Sequence, residues 1–317
     1  MNSSYSCFKA LLLVCLLCIC VHGQSTKSIP FAVHDDRLEL ILKKAVAETI
    51  DEFSEIGLKE DEIAVTAVDL TTGANIVAAS YRGNVPIYPA SVVKMFYLAA
   101  IHQWEADGKL KIKGEVERGL ADMIVVSSND ATGYILDELT DTSSGGELDE
   151  NTFRIWAEKR NSVNRYFRTL GYNGINVNQK TFCEDAYGVE QQFRNYRGEN
   201  RNMLTTDAAA RLLAEIATGR AVSPERSREM LRLMHKDWEK PVKNPDEREF
   251  ISHALSRGMR LWSKEGWTSK TRHDAAYVET PDGKKIVIVV FTENHAKTIG
   301  VIPGIARRVL HAISPPR

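Results

Sequence analysis

Cysteine is scarce where it would matter. Five occur in 317 residues, and four of them (Cys7, Cys15, Cys18, Cys20) lie before residue 21. Cys183 stands alone in the remainder, which excludes an intramolecular disulfide and a cysteine metal cluster there. Charge of one sign is also missing: the formal net charge is −1, so no global basic field draws nucleic acid. Long hydrophobic runs are absent. The longest, Ala10 to Val21, falls short of the roughly 20 apolar residues that span a bilayer. There is no internal repeat, no low-complexity segment, no G-x-S-x-G, no H-E-x-x-H, no P-loop and no G-x-G-x-x-G. The eight histidines show no metal-ligand spacing. These absences predict a protein without metal, cofactor, nucleic-acid partner or stable membrane span.

What is present describes an ordinary folded chain. Hydrophobic residues make up 43% and charged residues 26%, enough for a full core. Lys9, the apolar run after it and Val21-His22-Gly23 have the order of a secretory leader. Residues 1–23 are therefore predicted to be removed and the protein exported, to a periplasm or outside the cell. Residues 24–317 form one predicted domain, expected to be a monomer. Within it Cys183 reads as a small buried apolar residue; a reactive thiol is the alternative.

Periodicity gives the organisation. Residues 34–55 place Leu38, Leu40, Ile41, Ala45, Ile50 and Phe53 at helical spacing. The runs IAVTAVDL and NIVAAS flank Thr71-Thr72-Gly73 and predict a hairpin over 62–80. A helix opens at Ser91, and others follow at 115–125, 128–139, 152–170, 205–218 and 223–235. Between the third and fourth of those five lies an irregular stretch, 174–204. A loop that long is usually functional. Strands return at 260–267, 275–280 and 285–292, the last two joined by Pro281-Asp282-Gly283. A helix over 300–313 closes the chain. The order predicts an α+β protein with two lobes. One is an antiparallel sheet with flanking helices (about 30–88 and 255–317), the other all-helical (about 89–254). A cleft is expected between them.

Three short motifs suggest chemistry. Ser91-Val92-Val93-Lys94 puts a hydroxyl and an amine on one helical face. A serine needs a base to act as nucleophile, and a desolvated lysine can be one. Ser127-Ser128-Asn129 sits at a loop-to-helix junction, where a hydroxyl can pass a proton and an amide can hold both Lys94 and a substrate carbonyl. Lys264-Glu265-Gly266-Trp267 lies in a predicted strand. There glycine marks close approach of another backbone, and a strand edge can present an N–H to an oxyanion. Taken singly, each has a plain structural reading: a helix cap, a solvated lysine, a strand end.

In this order the three motifs resemble those of the class A β-lactamases and penicillin-binding proteins, S-x-x-K, S-D-N and K-T-G. IVVSSNDATGYIL is similar to the S-D-N helix of that family, and HDAAYV, a turn and IVIVVFTE to its last two strands. The resemblance implies that Ser91 is acylated and that Lys94 is its base or part of the proton network. It implies that Ser127 protonates the leaving nitrogen, that Asn129 binds substrate and that Lys264 steers the substrate carboxylate. Gly266 would lie beside the substrate, with the amides of Ser91 and Trp267 as the oxyanion hole. Glu190 would activate the deacylating water, with Glu184 and Glu199 as competitors; Arg272 would aid carboxylate binding, a plain surface arginine being the alternative.

Five departures stand against the family pattern. Ser128 replaces the acid of S-D-N, and Glu265 replaces the hydroxyl of K-T-G. If Glu265 faces the cleft, it should repel an anionic substrate. Arg194 stands where an amide would help hold the water. The stretch between Lys94 and Ser127 is short, so part of a wall should be missing, and 140–180 is long, as for a different lid. The resemblance implies a serine β-lactamase acting on a small molecule through an acyl-enzyme. Another serine peptidase, amidase or esterase on the same fold, or a non-catalytic binding protein, are the alternatives.

Overall fold

Strands β2 (Ile63–Asp69), β3 (Val77–Tyr81), β5 (Arg260–Trp267), β6 (Thr271–Glu279) and β7 (Lys285–Glu293) build the sheet. The computed structural model describes residues 31–240 and 250–315; the expected leader over 1–23 lies outside the described residues. Two short strands, β1 (Val33–His34) and β4 (His235–Lys236), cap the edges, giving the order β1-β3-β2-β7-β6-β5-β4. The expected antiparallel sheet holds except at β1, which runs parallel to β3. Strand β6 begins at Thr271, earlier than the predicted 275, because Arg272, His273 and Asp274 continue the ladder against β5. The turn between β6 and β7 closes where the Gly283 N–H donates to the Thr280 carbonyl at 2.9 Å, with Gly283 at φ +86°, which glycine adopts without steric cost.

Side-chain alternation gives the sheet two apolar faces. Ile286, Ile288 and Val290 of β7, with Ala276 and Val278 of β6, pack on Leu42 and Val46 of α1 (Asp36–Glu52) and on Ile305 and Val309 of α10 (Val301–Ile313). Val287, Val289 and Phe291, with Ala275 and Tyr277, join a larger cluster formed with the helices of the central chain. Those helices are α2 (Lys94–Ala106), α3 (Glu115–Val125), α4 (Asn129–Thr140), α5 (Glu150–Arg160), α6 (Ser162–Thr169), α7 (Val189–Arg194), α8 (Thr206–Ala217) and α9 (Pro224–Met234). Four starts carry side-chain caps: Ser128, Asp149, Thr205 and Ser223 each accept from the backbone N–H three residues on. The single helix predicted over 152–170 is two, α5 and α6, which meet at Asn161. No helix among the described residues is long and apolar enough to cross a membrane.

The irregular stretch 174–204 contains one element, α7, and is fixed by amide side chains. Asn202 accepts from the N–H groups of Asn178 and Gln179 and donates to the Gln179 carbonyl. Asn176 donates to Asn200 Oδ1 and the Arg201 carbonyl. These bonds replace the ladder that the stretch lacks. The extra length before it also has a role, since Phe153, Trp156 and Ala157 of α5 pack on Val189 and Phe193 of α7.

The largest cluster contains edge-on ring contacts: Phe96 meets Phe167 at 4.8 Å and Tyr172 at 6.0 Å between centroids. Phe96→Ala is expected to cost about 3–5 kcal/mol, read by urea denaturation. The control Leu40→Ala, at a side chain 68% exposed, should stay within about 0.5 kcal/mol.

Candidate active site

Ser91 lies in a tight 3-10 turn, Ala90–Val93, rather than in the α-helix expected to begin there; α2 starts at Lys94. The spacing survives the change, because residues i and i+3 eclipse in a 3-10 turn. Two non-glycine residues beside the site adopt positive φ, Ala90 (+45°) and Ser127 (+57°). Such backbone costs about 1–3 kcal/mol per residue and persists only where the surroundings impose it. His273 supplies part of that constraint. It is fully buried, accepts from the Thr292 N–H at Nδ1 and meets the Tyr88 carbonyl at 2.8 Å through Nε2. With Nδ1 an acceptor, Nε2 carries the proton and donates. Burial holds the ring neutral, with its pKa pushed down to about 4.

Lys94 has no solvent exposure. Its Nζ donates to the Ser127 carbonyl at 2.5 Å, to Ser127 Oγ at 3.1 Å and to Asn129 Oδ1 at 2.8 Å. Burial and the nearby Lys264 ammonium lower its pKa to about 7, so a neutral amine is accessible at ordinary pH. Ser127 and Asn129 come from the junction entering α4, where Ser128 is the cap. The first two motifs thus converge on one amine.

The third motif reaches the same place through Gly266. A Cβ on Gly266 would lie 2.6 Å from the Ser91 amide nitrogen and 2.9 Å from the Pro89 carbonyl oxygen, so β5 and the Ser91 turn are in backbone contact. Trp267 follows, its side chain 58% exposed at the strand end. The two amides expected to bind an oxyanion therefore belong to touching segments. Among the described residues β4 pairs only with Leu261 and Trp262, which leaves the β5 edge from Ser263 to Trp267 free of a neighbouring strand on that side. Lys264 is buried; its Nζ donates to the Glu265 carbonyl at 3.0 Å.

Register decides the Glu265 question. Glu265 pairs with Asp274 and shares a face with Leu261 and Val278, the face that packs on α1 and α10. Although the residue borders the cleft, its carboxylate meets Lys236 at 3.2 Å and Lys264 at 3.8 Å. Burial raises the group, but the two lysines outweigh that and hold it at about 2. Burial and Glu265 push Asp274, beside it, up to about 7. The expected repulsion is offset, because two ammonium groups face one firmly ionised carboxylate.

Two expected site residues lie elsewhere. Glu190 is 99% buried in α7 and does not line the cleft. Arg160 grips both of its oxygens, at 2.8 and 3.0 Å, and Ser144 Oγ donates to one. Arg160 also donates to Asp137 and Thr142, and Lys180 meets Asp137 at 2.6 Å. Glu190 is thus the buried member, with Arg160, of a charge-balanced cluster that anchors the 174–204 stretch to α4 and α5, and this placement corrects its expected contact with a catalytic water. Arg272 is turned off the cleft as well: strand alternation sends it to the α1/α10 face, where it stacks on Phe250 and its Nε donates to the Ala296 carbonyl at 2.8 Å.

The cleft, about 1050 Å³, is lined by Ser91, Ser127, Asn129, Tyr88, Trp267 and the segment from Gln179 to Ala186, except Thr181. Of the two competing glutamates, Glu184 lines it and Glu199 does not. Arg194 also borders it, ion-paired with Asp185. Cys183 is the main surprise. It is exposed rather than buried, and its Sγ accepts from Asn129 Nδ2 at 3.4 Å. Only its solitary occurrence in a loop flagged as functional hinted at this. The wall after Lys94 is low, leaving Val125 and Val126 53% and 68% exposed. Among the described residues His34, Asp36 and Glu39 could share an ion, but they line no part of this cleft.

Glu190→Gln removes one charge from a buried pair and should lower stability by about 3 kcal/mol, read by urea denaturation. It should leave the lifetime of any Ser91 acyl adduct within a factor of about two.

A family model described as the beta-lactamase enzyme family matches residues 115–313. No curated protein matches the chain. Solved structures similar to it include a beta-lactamase from Sphaerobacter thermophilus, with 21% identity, 86% of this chain and 97% of that chain covered, and a TM-score of 0.63. PBP-A is similar at 16% identity, with 89% and 97% covered and a TM-score of 0.60. A beta-lactamase from Chitinophaga pinensis is similar at 17% identity, with 84% and 97% covered and a TM-score of 0.61. At these identities the structures establish the fold, and the family match over most of the chain establishes kinship: the protein belongs to the beta-lactamase enzyme family.

Proposed function

We propose that the protein is a serine hydrolase that opens a strained or activated amide, a β-lactam foremost, through an acyl-enzyme on Ser91. The supporting observation is Lys94, stripped of water and held by Ser127 and Asn129 with its pKa near 7. A neutral Lys94 takes the Ser91 proton as Oγ adds to the carbonyl carbon. The amides of Ser91 and Trp267 bind the oxyanion. Ser127 passes a proton to the departing nitrogen as the C–N bond breaks, leaving an ester. Lys264, with Lys236 offsetting Glu265, keeps the third-motif end of the cleft receptive to a carboxylate. That offset favours the β-lactam over a neutral ester or amide. An exported location, expected from residues 1–23, suits such a substrate.

Intact-mass spectrometry after mixing with benzylpenicillin tests the reading. An adduct of the mass of the drug is expected on the protein and should be absent in Ser91→Ala; an equal adduct on Ser91→Ala would refute it. The acylation rate should rise with pH through about 7 and level off above it, because lowering the lysine pKa makes the basic form available only above that value. A rate independent of pH across 7 would remove Lys94 as the base.

A further inference from the structure

Resting on the acyl-enzyme reading above, the geometry points to Cys183 as the residue that sets the lifetime of the Ser91 ester: its thiol stands where a base would activate water, and deacylation is slow because of it. Hydrolysis requires water to add to the ester carbonyl carbon while a base takes its proton. The bond to Ser91 Oγ then breaks, Oγ recovers a proton and a carboxylic acid leaves. The base must lie within hydrogen-bond reach of that water.

On the loop wall, the side chain that reaches the Lys94–Asn129 pair is Cys183. Asn129 spends its Oδ1 on Lys94 and its Nδ2 on Cys183 Sγ. A water seated there finds sulfur, which accepts hydrogen bonds weakly. Two carboxylates of the loop wall are already engaged, while Glu184 lines the cleft next to Cys183. Asp185 is bound by Arg194 and the Ala186 N–H, and Glu190 is locked by Arg160. A second feature shows that this wall is built to meet a ligand. Gln179 is 94% buried and lines the same cleft, and its Nε2 finds no acceptor among the described residues. An unmet donor of that kind is costly unless something in the cleft accepts from it.

The test follows decay of the benzylpenicillin adduct by intact mass after free drug is removed. Cys183→Glu should shorten the adduct lifetime at least tenfold, since a positioned base contributes about 100-fold or more. Cys183→Asp provides a second carboxylate should the first variant melt early. An unchanged lifetime in a folded Cys183→Glu and Cys183→Asp overturns the assignment. So does a tenfold slower decay in Cys183→Ala, which would make the thiol itself the base, or in Glu184→Gln, which would place the base there. Failure to form any adduct belongs to the earlier step and would overturn the acyl-enzyme reading, with this assignment falling alongside it.

Discussion

An ammonium group removed from water must be held by dipoles or give up its proton, and Lys94 sits at that balance. It is fully buried, and what it touches arranges much of the surrounding structure. The Ser127 carbonyl can face it only because Ser127 adopts a left-handed backbone at the entrance to α4. Asn129 can face it because Ser128, and not Asn129, caps that helix. The second ammonium, Lys264, lowers the affinity of Lys94 for its proton without touching it. Both amines are withdrawn from solvent, and carbonyls and a compensated carboxylate surround them.

Strand alternation distributes the charges around this centre. Successive residues of β5 face opposite sides of the sheet, so Lys264 and Gly266 meet the helical side while Glu265 joins Asp274 and Lys236 behind. A residue that reads as hostile to an anionic substrate thereby becomes one partner in a compensated group. The same alternation removes Arg272 from the cleft. A one-residue slip of β5 would reverse both outcomes. The contact between Gly266 and the Ser91 turn fixes that register at the point where it matters.

The loop wall rests on a different kind of constraint. The cluster of Arg160, Glu190, Asp137 and Lys180 balances two acids against two bases, with the Arg160–Glu190 pair fully out of solvent. Removing one partner from such a group costs more than the group contributes as a whole. It anchors α7 beneath the cleft, and the asparagine bonds around Asn202 hold the segment before it. The rigid support leaves Phe182, Cys183 and Glu184 exposed at the surface of the cleft.

The sequence by itself determined the elements and the first convergence. Period-2 and period-3.6 patterns placed α1, the β2–β3 hairpin, β5, β7 and α10 within a few residues, because each buries a repeating apolar stripe. Spacing of Ser91 and Lys94 determined their shared side, since i and i+3 coincide in either kind of helical turn. Tertiary structure alone decided which charges are spent on each other. A family resemblance points to Glu190 by its place along a loop, and such a place carries no information on a partner such as Arg160, 30 residues away in the chain. Cys183 read as buried because composition averages over environments, whereas its exposure depends on where Asn202 and Arg160 hold the loop. Glu265 and Arg272 were ambiguous for the same reason: the face a strand residue occupies follows from register with its neighbours, and register is a property of the assembled sheet.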